Sequence, residues 1–271
     1  MFDSRCFIVK EISSKQNQLI KDINKARLNK GIWAGAFIVE GFRLCEEAIN
    51  SGLMIEAIFL AKHVLLDKNK YSLRKYLEAD TEIYILDNEL FDYISKTKNS
   101  QGILMIVEGR DTANISELSN LLSKNESLSI LVMENLQDPG NLGTMLRTAY
   151  AFGYDAAITV GNSARVNQEK VLRSAMGAAF HLPIFEIKET NKLIELLKAN
   201  KIDILAMTLE GVALSEYKRD KKISLWIGNE GNGLTDNLIS LADSKITIPM
   251  PGGAESLNAA IAAAIALYEL K

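Results

Sequence analysis

Histidine and cysteine are almost missing from this sequence. Its 271 residues include two of each, Cys6 and Cys45, His63 and His181, all far apart. No CxxC, HxxxH or HExxH spacing occurs, so no metal site is expected. The same scarcity removes a histidine base and a cysteine nucleophile from any chemistry the chain performs. Proline is sparse too, with four residues at 139, 183, 249 and 251. Long apolar runs are lacking: the most apolar, Ala259 to Tyr268, is alanine-rich and half the roughly 20 residues a membrane helix needs. The opening MFDSRCFIVK has no stretch of signal-peptide length. A cytoplasmic enzyme or binding protein with no membrane contact is expected.

What is present is ordinary for a globular chain, with 48% hydrophobic and 24% charged residues and length for one large or two modest domains. The net charge of −3 is unevenly distributed: residues 1–30 hold seven Lys/Arg against three acids, residues 31–108 cancel that excess, and 109–271 carry the deficit. Lys15, Lys21, Lys25, Arg27 and Lys30 could neutralise phosphates along one helix. On charge alone a solvated helix face explains them equally well.

Periodicity predicts a helix over 14–30 with Ser14 as N-cap and Leu19, Ile20, Ile23 and Ala26 as its apolar face. A strand at Ala36–Val39, a helix from Phe42 to Asn50 ending at Ser51-Gly52, and a strand at Ile55–Leu60 follow. Then come a helix near Ser72–Ala79, a strand at Glu82–Leu86, a helix near Glu89–Ser95 and a strand at Gly102–Val107. This alternation gives a small α/β domain over 1–108 with a mixed or parallel sheet. Residues 109–128 are polar, with one short helical stretch, and read as a connection. Residues 129–271 form a second α/β domain, opening on the buried-type strand Ser129–Glu134.

Three segments of the second domain stand out. In the first, a strand ends at Asn135, Pro139-Gly140 turns the chain, and a helix runs from about Leu142 to a Gly153 cap. Leu142, Met145, Leu146 and Ala149 make its apolar face, while Gly143 and Arg147 stack on another, leaving a shallow hole beside a guanidinium. An ordinary surface arginine near a tolerated glycine accounts for the same spacing. The second is Gly228-Asn-Glu230-Gly231-Asn-Gly233, a turn before a helix capped by Thr235. Its GxxGxG order is not that of dinucleotide folds, and Glu230 would repel a diphosphate. The glycines suit close backbone approach to a neutral or zwitterionic ligand, or merely a tight turn. The third, Ile246 to Asn258, joins a strand through Pro-Gly-Gly to an alanine-rich helix, where Ser256 reads as N-cap.

Taken in order, NxxDPGNxGxxxRTAxxFG, GNEGxGL and IPMPGGxESLNxAxAAAI resemble the three signature motifs of the SpoU/TrmH family of the SPOUT methyltransferase superfamily. Val171 to Pro183 is similar to the segment between the first two motifs, and Phe37–Gly41 with Gln101–Leu104 to the family's RNA substrate-binding domain. The resemblance implies a trefoil-knotted α/β methyltransferase domain preceded by a small α/β substrate-binding domain. It implies S-adenosylmethionine bent among the knot loops, with Gly228, Ile248, Leu257 and the Thr208–Gly211 turn as its contacts. It also implies a homodimer and a catalytic set of Asn141, Arg147, Glu230, Ser256 and Asn258. Glu230 and Asn141 would orient Arg147, which clamps a phosphate and polarises a ribose 2′-OH. Ser256 and Asn258 would shape the third motif's turn. The substrate-binding domain points to 23S rRNA before tRNA. A non-catalytic RNA-binding or ribosome-assembly protein would call for a degraded set, and none of the five positions departs from the motifs.

Overall fold

Ile103–Val107 is five apolar residues in a row, a pattern that suits a strand covered on both faces, and all five are buried. It lies inside a five-stranded sheet of order β1-β4-β3-β5-β2, with β1 Val9–Ile12, β2 Phe37–Glu40, β3 Ile55–Ala61, β4 Glu82–Leu86 and β5 Ile103–Val107. The pairs β1–β4 and β4–β3 are parallel, while β5 runs antiparallel to β3 and β2, so the sheet is mixed. The computed structural model describes residues 9–66, 81–109, 112 and 114–271. The helix expected near 72–79 lies outside them.

The chain divides into two units, residues 1–110 with 167–172, and residues 111–166 with 173–271. In the first, Phe59 stacks on Tyr84 with centroids 5.1 Å apart, and Trp33 meets Phe59 edge-on. Helix Phe42–Asn50 has the expected bounds, and Gly52, at φ 74°, turns the chain after it. Helix Gln18–Arg27 is shorter than predicted. Ser14 starts a turn, accepting from the Gln16 N–H, and Asn17 caps the helix by accepting from the Leu19 N–H at 2.9 Å. Strand β2 extends past the predicted end to the charged Glu40, which is buried.

The second unit is built on a six-stranded sheet of order β11-β9-β10-β6-β7-β8, every pair parallel. Its strands are β6 Leu128–Glu134, β7 Ala156–Val160, β8 Ile184–Ile187, β9 Asp203–Ala213, β10 Lys222–Ile227 and β11 Ser244–Thr247. Trp226 is fully buried and donates to Ser224 Oγ at 3.0 Å. The stretch 109–128, expected as a connection, contains helix Ile115–Lys124, and Leu118 and Leu122 are buried in this unit's core. A leucine pair four residues apart gives that helix an inward stripe, so most of the polar-looking segment packs with the second unit.

One register shift shapes the functional end of this sheet. Lys245 pairs with Ala206, but its neighbour Ile246 pairs with Val212, so residues 207–211 bulge out of β9. The expected turn at Thr208–Gly211 is thus a bulge within one long strand. Gly211 is required there, because a Cβ would lie 2.5 Å from the Lys245 carbonyl oxygen.

Candidate active site

In a parallel sheet, ligands bind beyond the carboxyl ends of the strands. Here the bulge of β9, the loop 228–234 after β10 and the segment 248–258 after β11 all belong to that end. A groove of about 570 Å³ opens at the opposite, amino end. Its Lys198, Lys201, Lys221 and Lys222 are balanced by Glu126, Asp203, Asp220 and Asp243, so it favours no charge.

Helix Pro139–Ala151 starts earlier than predicted. Asp138 caps it, its carboxylate accepting from the Asn141 N–H at 2.8 Å, and Pro139 occupies the first turn, where no N–H is needed. The four predicted core positions Leu142, Met145, Leu146 and Ala149 are all buried. Gly143 is buried with them, so the shallow surface hole expected beside Arg147 is absent.

Glu230 lies across the amino end of this helix. Its Oε1 accepts from the Asp138 N–H and the Asn141 side-chain amide, both at 3.1 Å, and its Oε2 accepts more weakly from Gln137 N and Asn229 Nδ2 at 3.4 Å. Burial pushes the Glu230 carboxyl up. Hydrogen bonds from its own N–H, from Asn141 and from the Asp138 and Gln137 amides outweigh this and hold it below the usual carboxylate range.

The cluster continues from Asn141 to Asn258. Asn258 caps helix Ala259–Glu269, its Oδ1 accepting from the Ala260 and Ile261 N–H groups at 2.9 and 3.2 Å, and its Nδ2 donates to Asn141 Oδ1 at 3.2 Å. Both amides are therefore oriented by chemistry. A carboxylate only accepts and backbone N–H groups only donate, which fixes which end of each amide faces which neighbour. Asn141 and two segments 89 and 117 residues away from it meet in one chain of hydrogen bonds.

Of the five predicted catalytic residues, the structure joins Asn141, Glu230 and Asn258. Arg147 is exposed and makes no hydrogen bond or ion pair among the described residues, Glu230 and Asn141 included. It lies six residues along the helix from Asn141, about 9 Å of rise and off the same face. Ser256 is exposed, and Asn258, not Ser256, caps the last helix. Gly228 is buried where a Cβ would fall 2.1 Å from the Gly233 carbonyl carbon. Ile248 is half-buried, Leu257 is exposed, and Thr208 bonds within the bulge, its hydroxyl donating to Glu210 O at 2.5 Å.

Of the basic residues expected on the first helix, Lys25 pairs with Asp22 at 2.9 Å. Arg27 is mostly buried, its Nε 2.6 Å from Glu169 and its Nη2 donating to the Ile94 carbonyl at 2.5 Å. Lys15 lies over the Tyr93 ring, and Lys21 and Lys30 are exposed.

Two residues were missed. Glu134, the last residue of β6, is buried and accepts from Thr235 N and Oγ1 at 2.8 and 3.0 Å, anchoring the end of the glycine loop. Asn229 accepts from the Gly231 and Asn232 N–H groups and donates to Asn135 O at 3.0 Å. Its Asn-x-Gly spacing is the usual signal of such a side-chain turn.

Residues 129–268 match the SpoU rRNA Methylase family, and residues 17–105 match an MRM3-like substrate binding domain. The 23S rRNA (guanosine(2553)-2′-O)-methyltransferase RlmP of Bacillus subtilis is 31% identical over 265 residues, 97% of this chain and 100% of the relative. An AdoMet-bound rRNA methyltransferase from Sinorhizobium meliloti shares the architecture with a TM-score of 0.82 at 28% identity, covering 97% of each chain. The SpoU methyltransferase AviRb of Streptomyces viridochromogenes, at 24% identity over 94% of this chain and 97% of its own, has the same fold with a TM-score of 0.82. With two matched regions spanning most of its length and the three signature segments joined by hydrogen bonds, the chain belongs to the SpoU rRNA methylase family.

Proposed function

We propose that the protein transfers the methyl group of S-adenosylmethionine to a ribose 2′-OH of structured RNA, with 23S rRNA as substrate, and does so in the cytoplasm. The observation that carries this reading is the chain Glu230–Asn141–Asn258, which ties the glycine loop, the first-motif helix and the last helix together. The match to RlmP over 97% of this chain and 100% of the relative supports the choice of 23S rRNA over tRNA. The intact site speaks against a non-catalytic scaffold.

The residues present suit that cofactor. The bulge 207–211, the loop 228–234 and the segment 247–258 contain no Lys or Arg, but do contain Glu210, Glu230 and Glu255. Such a lining repels polyphosphates and suits a sulfonium cation. Leu209 and Leu257 expose apolar surface beside the glycines, the kind of cover a flat heterocycle takes. Gly228, Ile248, Leu257 and Thr208 would hold the cofactor, which supplies an already activated methyl group. The protein's task is then mainly alignment.

Arg147, permanently charged, would grip the phosphate beside the target ribose and donate a hydrogen bond to its 2′ oxygen. Glu230 makes a poor base, because both oxygens are occupied and its carboxyl is held below the usual range. It acts as a positioning residue for the loop and Asn141, and the 2′ proton passes to phosphate or water. Ser256 shapes the third motif's turn. The protein works as a homodimer. Helix Ala259–Glu269 exposes Ile261, Ile265 and Tyr268 at i, i+4 and i+7, an apolar stripe suited to a second copy. The last strands and helix thread a trefoil knot, and residues 1–108 bind RNA.

Purified full-length protein, methyl-labelled S-adenosylmethionine and protein-free transcripts of 23S rRNA and tRNA test the reading. A 2′-O-methyl mark on the 23S transcript is the expected result. Label on a base, or no transfer while the cofactor binds, would overturn it.

A further inference from the structure

The first unit contains a buried charge that its core does not require. Glu40 ends β2 with 7% of its surface exposed. Its Oε1 accepts from the Ser95 and Thr97 hydroxyls, both at 2.5 Å, and its Oε2 from the Lys96 N–H at 3.1 Å. Removing a carboxylate from water is costly unless such bonds compensate. All of them go to one loop, Ser95-Lys-Thr-Lys-Asn-Ser-Gln-Gly102.

The loop's far end is held as firmly. Gln101 Oε1 accepts from the Phe42 N–H at 2.8 Å, and Ser100 Oγ accepts from the Gly102 N–H at 3.1 Å. Gly102, at φ 78°, admits no side chain, because a Cβ would lie 2.4 Å from Val64 Cγ2. Between these anchors Lys96, Lys98 and Asn99 are exposed, and no acidic residue occurs from position 93 to 107. Lys15, over the Tyr93 ring at 4.7 Å, adds a cation next to the helix that leads into the loop. Lys25 and Arg27 of the first helix, by contrast, are paired with Asp22 and Glu169.

We infer that the loop 95–102 is the RNA-contacting element of the first unit, with Lys96 and Lys98 on phosphates and Glu40 as the positioning residue that fixes their backbone. This rests on the RNA-methylating reading above. A short polar loop anchored at both ends presents its cations without an ordering cost at binding, and that is the advantage a polyanion would draw from it.

The test compares full-length wild type, Lys96→Ala/Lys98→Ala, Lys96→Arg/Lys98→Arg and Glu40→Gln with Lys198→Ala/Lys201→Ala as a matched loss of charge elsewhere. Filter binding of a 23S rRNA transcript across salt concentrations, methyl-transfer KM and kcat, and calorimetry with S-adenosylmethionine are the readouts. The alanine pair should raise KM for RNA about tenfold and flatten the log K against log salt slope by about 1.5, since each lost phosphate contact removes roughly 0.7–0.9. Its kcat and cofactor affinity should stay at wild-type values. The arginine pair should restore binding, and Glu40→Gln should raise KM severalfold at unchanged kcat. An alanine pair that binds like wild type, or a control pair that loses as much, would overturn the inference. Wild type that binds the transcript through this loop but never methylates it would leave the inference standing and remove the methyl-transfer reading. Wild type that binds no RNA removes both.

Discussion

Each unit ends a buried strand on a buried glutamate, and the two glutamates hold loops of opposite character. Glu40 closes β2 and grips a loop 55 to 57 residues away that carries two lysines and no acid. Glu134 closes β6 and grips Thr235, 101 residues away, at the end of a glycine-rich loop that carries Glu230 and no base. The same device, a desolvated carboxylate fully used by hydrogen bonds, fixes a cationic surface in one unit and an anionic one in the other. The difference sorts the ligands. The proposed function needs both, with a polyanion on the first loop and a sulfonium on the second.

Arg147→Ala should break the comparison most completely, because Arg147 is the only Lys or Arg in helix Pro139–Ala151 and the three site loops have none. Methyl transfer should fall by two to three orders of magnitude, the scale of losing one donor to a developing oxyanion. Cofactor affinity by calorimetry should be unchanged. Substantial turnover in this variant would remove Arg147 from the reaction.

Glu134→Ala comes next and acts on stability. It removes both charge-assisted hydrogen bonds from the buried Glu134 to Thr235, a loss of about 1–3 kcal/mol. Urea unfolding of the full chain should register a loss of that order. An unchanged midpoint would mean that the strand-end carboxylate is no anchor.

Glu230→Gln should slow transfer about tenfold, roughly 1.4 kcal/mol of barrier, by weakening charge-assisted bonds to the loop amides. Stability should barely change, since the residue is exposed. The pH dependence has a definite sign. A carboxyl held below its usual 4.5 stabilises the fold fully above that pH, and the contribution disappears only as pH falls through the lower folded value. Wild-type transfer should therefore show no inflection from Glu230 between about pH 6 and 9. An acid limb near neutrality that disappears in Glu230→Gln would assign it a proton-transfer role instead.

The smallest effect should come from Lys21→Ala/Lys30→Ala, one residue on the first helix and one just past its end. These exposed side chains would change RNA affinity less than twofold to threefold, as surface charges at the rim do. A loss exceeding that of the Lys96/Lys98 pair would return the RNA contact to that helix.

Much of this was legible in the sequence, and the exceptions share a cause. Helix Phe42–Asn50 and strand Glu82–Leu86 matched to the residue, because period and turn residues agree there. Strand β2 was cut one residue short at Val39, because Glu40 reads as a surface charge until its partners 55 residues away are known. Strand β1 was missed because only Ile12 of its four residues is buried, which leaves no alternation to detect. The Ser14 cap gave way to Asn17, as either side chain can cap and only the packing of Ile20 and Ile23 decides. In the site, the motifs brought Asn141, Glu230 and Asn258 to attention, but an orienting contact to Arg147 could not be tested by spacing. The helix places the arginine a turn and a half further on.

Asn141 sits where two neighbours make opposite demands. One end of its amide meets a carboxylate and the other meets an amide N–H. Aspartate, its closest isostere, would set one carboxylate against another at Glu230, and leucine, of similar size, would satisfy neither neighbour. Glutamine carries the same polarity one methylene too far in a contact already set at 3.1 Å. A position with two readers of opposite sign tolerates no conservative replacement, and its identity can serve as a one-residue check on whether a related sequence keeps the three segments joined.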